Sequence, residues 1–99
     1  MAMVLDVLAA LAEPTRLSAM AVLAADGREH CVCELMRHCQ ATQSRMSRHM
    51  GVLKAAGLVV DRRDAQWVRY RLNPDLDPML GDVLNATIAC VAEDERRVA

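Results

Sequence analysis

The sequence predicts a mainly α-helical domain that carries one β-hairpin. Apolar residues recur at helical spacing over most of the 99 residues, and the period changes to two only between residues 58 and 72. Trp67 and Tyr70 are the only aromatic residues, so the core must consist mostly of Ala, Leu, Val and Met, as in small, closely packed helices. A chain of this length has material for one modest core. We therefore expect a single domain over residues 1–99.

The N-terminal part of the chain predicts two helices that meet near residue 13. The apolar positions of the first are Val4, Leu5, Leu8 and Leu11. Glu13 and Pro14 suit the N-cap and first turn of the second helix. That helix should end at Asp26 and Gly27, because glycine adopts the positive φ of a helix C-terminus without strain.

Two further helices and their caps follow from the next segment. We expect a loop through His30, a short helix over roughly 31–38 and a longer helix over roughly 43–56. Thr42 suits the N-cap of the longer helix, and Gly57 suits its C-terminal end.

The C-terminal part predicts two strands and a last helix. Residues 58–64 and 67–72 alternate with period two around a tight turn, which is typical of a β-hairpin. Asn73-Pro74-Asp75 breaks the second strand, and an amphipathic helix should begin near Leu76. Its apolar face is wider than a small monomer needs, which favours a homodimer.

Charge is distributed unevenly along a chain whose formal net charge is only −1. Residues 45–71 contain seven basic and two acidic residues, whereas both flanks have an acidic excess. A basic block of this kind indicates an anion-binding face, and nucleic acid is the commonest large anion.

Two short helices with a tight connection, followed by a hairpin, are typical of a winged helix-turn-helix, in which the second helix of the pair enters the major groove. On the predicted 43–56 helix, Met46, Met50 and Leu53 share the buried side. The opposite side combines hydrogen-bonding groups with small residues that let the backbone approach base edges. The candidate DNA-binding residues are Gln43, Ser44, Arg45, Ser47, Arg48 and His49 on the helix, and Arg62, Arg63 and Arg69 on the hairpin. His49 lies at the edge of the buried stripe, where a packed, hydrogen-bonded histidine is an equal alternative.

Four segments in matching order resemble the ArsR/SmtB family of winged-helix transcriptional repressors. They are AEPTRL (12–17), CVCEL (31–35), TQSRMSRHMGVLKAAGLV (42–59) and DRRDAQWVRYRLNPDL (61–76). The resemblance implies a homodimer that pairs through its first and last helices, binds double-stranded palindromic operator DNA and dissociates when an inducer binds. The chain departs from the family pattern at the wing turn, where Ala65 replaces a frequent Gly and Gln66 a frequent basic residue.

The Cys31-x-Cys33 pair resembles the metal box of the family's arsenite-responsive branch, which implies As(III) or Sb(III) as inducer and no organic cofactor. Soft thiolates select such thiophilic ions, and we expect a helix N-terminus to lower the thiol pKa. The third ligand stays open. Cys39 is one candidate and packing in the core is its alternative, while a substituted, organic arsenical would need only two thiolates.

On a regular helix, residues i and i+2 project about 160° apart at about 100° per residue. One ion could then not easily be coordinated by both Cys31 and Cys33. We therefore expect inducer binding to distort the start of their helix and so disturb the recognition helix packed against it.

Several alternatives remain open at this point. His30 and His38 flank the cysteines and permit mixed S/N ligation of Zn(II) or Cd(II), and a redox sensor could close a disulfide. An arsenic-handling enzyme with a reactive cysteine is a further rival, but the chain has no phosphate-binding Gly loop, so we expect no enzyme. Without a convincing signal peptide or membrane-length apolar run, we expect reduced thiols, a cytoplasmic location and no membrane partner.

Overall fold

The computed structural model describes the backbone of residues 2–98 and the side chains of residues 3–97. Five helices and three short strands confirm the mainly helical fold with a β-hairpin. The elements are α1 (Ala2–Leu11), α2 (Pro14–Asp26), β1 (His30–Cys31), α3 (Val32–Cys39), α4 (Gln43–Ala55), β2 (Val59–Asp64), β3 (Trp67–Leu72) and α5 (Pro78–Val98).

Local capping signals set the ends of the central helices as predicted. The Glu13 carboxylate accepts the backbone N–H of Arg16 at 2.8 Å, and Pro14 opens α2. The Thr42 hydroxyl accepts the backbone N–H of Arg45 at 3.3 Å and so caps α4. Gly27 has a φ of 68°, which closes α2 in the left-handed conformation that favours glycine.

Two predicted boundaries are wrong. Cys31 lies outside α3, because it pairs with Arg69 in a two-residue strand where the sequence predicted only a loop and then helix. Likewise α5 begins at Pro78 rather than near Leu76, because the Asp77 side chain accepts the backbone N–H of Met79 at 2.9 Å and caps the helix there.

The sheet has three antiparallel strands in the order β1-β3-β2. In this register, Cys31 stands opposite Arg69, and Arg69 stands opposite Arg62 on the other side. The hairpin is thus joined through its central strand β3 to the segment that carries the first cysteine.

Methionine and leucine fill the core between the helices and the sheet. Met46, Met50 and Leu53 of α4 are fully buried, as predicted, and pack with Met20, Leu23, Leu35 and Leu58. The outer face of α1 stays open, with Leu5 and Leu8 about half exposed, and Met79 on α5 is 77% exposed.

Among the described residues, no single helix is both long enough and apolar enough to cross a membrane. Only α1 and α2 taken together reach that length and composition, and they bend by 100° at the break between them.

Candidate nucleic-acid interface and thiol site

The outer face of α4 presents the polar side chains expected of a recognition helix. Helix α3 ends at Cys39, and its C-cap residue Gln40 has a left-handed conformation that turns the chain so that α4 can start at Gln43 after only a few residues. The exposed residues on this face are Gln43, Ser44, Arg45, Ser47, Arg48 and Gly51. Their exposure follows the predicted helical pattern, and their contact with DNA stays a prediction.

The three hairpin arginines that are candidate DNA-binding residues differ in their surroundings. Arg62 donates two hydrogen bonds to the Glu29 carboxylate, from Nε at 2.9 Å and from an Nη at 2.7 Å. Arg69 Nε donates to Asp64 at 2.8 Å. Arg63 is exposed and forms no ion pair with any side chain of residues 3–97. Glu29 is a partner that sequence reasoning missed, since 33 residues separate it from Arg62.

His49 is a packed, hydrogen-bonded histidine on the inner edge of the recognition helix. Its Nδ1 lies 3.2 Å from an Nη of Arg16, and its side chain is only 18% exposed. The structure therefore bears out the packing alternative for His49, and it leaves contact with DNA through the other ring nitrogen open.

The thiols of Cys31 and Cys33 meet at the N-terminus of α3. Cys31 is the N-cap residue, and its extended backbone lets the Sγ accept the backbone N–H of Cys33 at 3.4 Å. The two Sγ atoms are 2.6 Å apart. The separation of about 160° that holds for two helical residues does not apply here, because Cys31 lies outside α3. This removes the reason for expecting a distorted helix start, and distortion on inducer binding stays a prediction. The sulfurs already converge.

The expectation that the helix N-terminus lowers the thiol pKa is wrong for Cys31. Burial raises the pKa of this thiol, the contact with the Cys33 side chain raises it further, and the Cys33 N–H opposes both. Cys31 is only 5% exposed, so desolvation outweighs the helix end. The free protein therefore carries Cys31 as a thiol.

Cys39 lies at the opposite end of α3 from the pair. Six residues of helix separate it from Cys33, which is about 9 Å along the axis. Its Sγ is 3.8 Å from the Thr15 carbonyl, and burial raises its pKa. Cys90 is exposed on α5. Among the described residues no three His, Cys, Asp or Glu side chains are arranged to hold a metal ion, so this part of the chain brings no third ligand to the pair.

His30 is engaged by two carboxylates beside the thiols. Its Nδ1 lies 2.8 Å from Glu34 and its Nε2 lies 3.0 Å from Asp26, and hydrogen bonding to Asp26, then to Glu34, raises its pKa. Glu34 also accepts the backbone N–H of Cys31 at 3.5 Å, which completes a capping box. The Cys-x-x-Glu spacing could have indicated this box from the sequence, since it matches the usual Ser-x-x-Glu. Neither ring nitrogen of His30 is free for mixed S/N ligation.

Comparison with known proteins agrees with this arrangement. Residues 13–60 match the bacterial regulatory protein, arsR family. An arsenic resistance transcriptional regulator of Pseudomonas putida is 42% identical over 83 residues, which cover 84% of this chain and 71% of that protein. The arsenical resistance operon repressor of Escherichia coli is 35% identical over 84% of this chain and 70% of its own length.

Solved structures share the fold as well. The reduced HlyU protein of Vibrio cholerae superposes with a TM-score of 0.71 at 29% identity, over 93% of this chain and 87% of that one. A homodimeric winged helix-turn-helix DNA-binding domain of Mycobacterium bovis gives 0.72 at 25% identity, over 98% and 84%. The curated relatives are transcriptional regulators, as expected for a protein that is not an enzyme. This chain belongs to the ArsR family of winged helix-turn-helix transcriptional regulators.

Proposed function

We propose that the protein is a repressor that binds operator DNA as a homodimer and dissociates when trivalent arsenic binds Cys31 and Cys33. The observation that carries the proposal is the convergence of two thiols at the N-terminus of α3, the first helix of the DNA-reading pair. A ligand bound there contacts the cap of α3 and the strand β1 at once. The arsenic resistance names of the relatives support the same class of inducer.

The DNA contact proposed here combines the recognition helix with the wing. Side chains of α4 would read base edges in the major groove, with Arg48 and Ser44 at the centre of the exposed face. Arg63, which no carboxylate of residues 3–97 neutralises, would contact phosphate from the wing. Arg62 and Arg69 would first have to leave Glu29 and Asp64.

Homodimerisation is supported by the open apolar faces of α1 and α5. Met3, Leu5 and Met79 are 68%, 52% and 77% exposed in one chain, which is costly in water unless a partner covers them. The Mycobacterium bovis domain with the same fold is described as homodimeric. A twofold dimer would place its recognition helices about one DNA turn, roughly 34–36 Å, apart on a palindromic operator.

The inducer chemistry follows from the donor set. Two soft sulfur donors favour thiophilic ions such as As(III) or Sb(III) over ions that prefer nitrogen or oxygen. Because one chain supplies only two converging thiols among its described residues, an arsenical that already carries an organic substituent would complete its coordination here. Free thiols stay reduced in the cytoplasm, where the proposal locates the protein.

A panel of inducers tests the proposal. Preformed complexes with duplex DNA from upstream of the protein's own gene are titrated with arsenite, antimonite, phenylarsine oxide, Cd(II) and Zn(II) and followed by gel shift. We expect salt-sensitive binding and release by the arsenic and antimony compounds at the lowest concentrations. Absence of salt-sensitive binding, or release by Zn(II) alone, would contradict the proposal.

A redox-responsive repressor is the second candidate, because two neighbouring free thiols can also be oxidised to a disulfide. Mass spectrometry after mild peroxide treatment separates the two. A loss of two hydrogens at the Cys31–Cys33 peptide that accompanies DNA release would favour the redox candidate. Release by arsenite under full reduction favours the arsenic inducer.

A further inference from the structure

Arg16 lies at the junction of α1, α2 and α4. Its Nε donates to the Ala10 carbonyl at 2.6 Å, and an Nη donates to the Ala9 carbonyl at 3.4 Å. These carbonyls belong to the last turn of α1, where helix acceptors need partners from outside the helix. Arg16 itself is in the first turn of α2, so it holds the ends of two helices together.

The same guanidinium also reaches the recognition helix. Its other Nη lies 3.2 Å from Nδ1 of His49. A guanidinium can only donate hydrogen bonds, so Nδ1 must accept, and the proton of the neutral ring stands on Nε2. The Glu13 carboxylate is 3.6 Å from the same Nδ1, which is too long for a hydrogen bond, and it is already engaged by the Arg16 backbone N–H at 2.8 Å.

The Nε2 of His49 is left with no hydrogen-bond partner among residues 3–97. Within that part of the chain, no side-chain nitrogen or oxygen is both buried and unpartnered. The Nε2–H group therefore reaches solvent, and it does so beside Arg48 on the helix that carries the candidate DNA contacts.

We infer that Arg16 is a positioning residue for DNA binding, which fixes α4 against α1 and presents the Nε2–H of His49 to a DNA phosphate. The inference rests on the proposed DNA-binding function. The role it assigns to His49 is that of a neutral hydrogen-bond donor. A neutral donor adds affinity without releasing counterions, whereas each arginine on a phosphate changes the salt dependence. Arg16 does not touch the DNA.

A pair of His49 variants tests the donor. The probe is a duplex that the parent protein selects from a random-sequence pool, and affinity is measured by fluorescence anisotropy across a salt series. In His49→Asn, the side-chain amide supplies an acceptor at the position of Nδ1 and no group at the position of Nε2. In His49→Gln, the longer side chain places an amide N–H donor at the position of Nε2. We expect about tenfold weaker binding for His49→Asn, with an unchanged slope of log affinity against log salt concentration (the salt slope). His49→Gln should be intermediate, because it keeps a donor but has no acceptor at the Nδ1 position for Arg16.

Arg16 variants test the positioning. We expect Arg16→Gln to bind about tenfold more weakly with an unchanged salt slope, and Arg16→Lys to be intermediate because one ammonium cannot serve both α1 and His49. In the His49→Asn background, Arg16→Gln should cost less than about threefold, since the donor it positions is already absent. Arg96→Gln, at the far end of α5, is the matched control and should bind like the parent.

Several results would overturn the inference. A salt slope reduced by about 0.9 per protomer in Arg16→Gln would mean that Arg16 contacts phosphate itself. Parent-like binding by His49→Asn, or a full second tenfold loss in the double variant, would mean that Arg16 does not act through His49. A parent protein that selects no duplex would overturn the proposed function together with the inference.

Nitrogen NMR of the DNA-free protein gives a readout that does not need the Arg16→Gln variant to fold. We expect the neutral ring of His49 to be protonated at Nε2 in the parent, and this preference to weaken in Arg16→Lys. A parent ring protonated at Nδ1 would contradict the inference directly.

Discussion

At the scale of single residues, two non-glycine positions in the described part of the chain have a strained backbone. Gln40 ends α3 with a φ of 53°, and Ala65 forms the wing turn with a φ of 55°. L-residues meet steric resistance in this left-handed region, which glycine does not. Each position holds a functional element in place, Gln40 the start of α4 and Ala65 the tip of the wing. Ala65, which stands where the family often has glycine, thus preserves the wing turn but lowers the stability of the fold.

Replacing Ala65 with glycine should stabilise the protein. At a positive φ the substitution removes the clash of the β-carbon, and we expect a gain of about 0.5–1 kcal/mol in the free energy of unfolding. Urea denaturation followed by circular dichroism measures it. The matched control is Ala25→Gly on an exposed position of α2, which should lose about 0.5–1 kcal/mol because its backbone is helical. A loss at Ala65→Gly would contradict the strain assigned to the turn.

Residue-scale features were predictable where the signal is local. The caps at Glu13 and Thr42 follow from residues within three positions of each other, and both were predicted. The contacts of Arg16 with His49 and of Arg62 with Glu29 each span 33 residues, and no periodicity or spacing in the sequence indicates them. Only the folded chain brings these side chains together.

At the scale of elements, the two-residue strand β1 decides the geometry of the thiol site. A strand this short has no periodicity to detect, so the sequence predicted a loop and placed Cys31 in the following helix. Pairing with β3 instead keeps Cys31 extended. Its Sγ then points back over the first turn of α3, toward Cys33, and the pair forms without any change in the helix.

The wing arginines should contribute unequally to DNA binding. Arg63→Gln should make the slope of log affinity against log salt concentration shallower by about 0.9 for each phosphate that the protein no longer neutralises, hence about 1.8 for a dimer. Arg62→Gln should change the slope by less than half as much, because Glu29 already neutralises Arg62 through two hydrogen bonds. Equal changes in the two variants would show that the ion pair opens on DNA.

At the scale of the whole molecule, the helices divide into two groups with different exposure. The central helices α2, α3 and α4 enclose the core with the sheet, and the buried residues of α4 are those that the helical periodicity predicted. Helices α1 and α5 cover that core with one side and leave apolar side chains open on the other. The amphipathic pattern predicted the wide face of α5, but a pattern alone cannot say which part of it a second chain covers.

A charge placed on the open face of α1 should separate the proposed homodimer. Leu8 is 46% exposed and lies beside the buried Val7, so Leu8→Glu should disrupt an interface without entering the core. We expect a monomer in sedimentation velocity and DNA binding weaker by about a hundredfold, because two half-sites no longer act together. Gln66→Glu, exposed at the wing turn, should remain dimeric. A Leu8→Glu protein that sediments like the parent would place the interface elsewhere.

The most direct measurement is an arsenite titration of the DNA complex, cysteine by cysteine. Fluorescence anisotropy of a labelled duplex is followed for the parent and for Cys31→Ser, Cys33→Ser, Cys39→Ser and Cys90→Ser under full reduction. Because the sulfurs of Cys31 and Cys33 alone converge within the described chain, only those two variants should stay on DNA at concentrations that release the parent. Release of Cys31→Ser and Cys33→Ser at the parent's arsenite concentration would contradict the account.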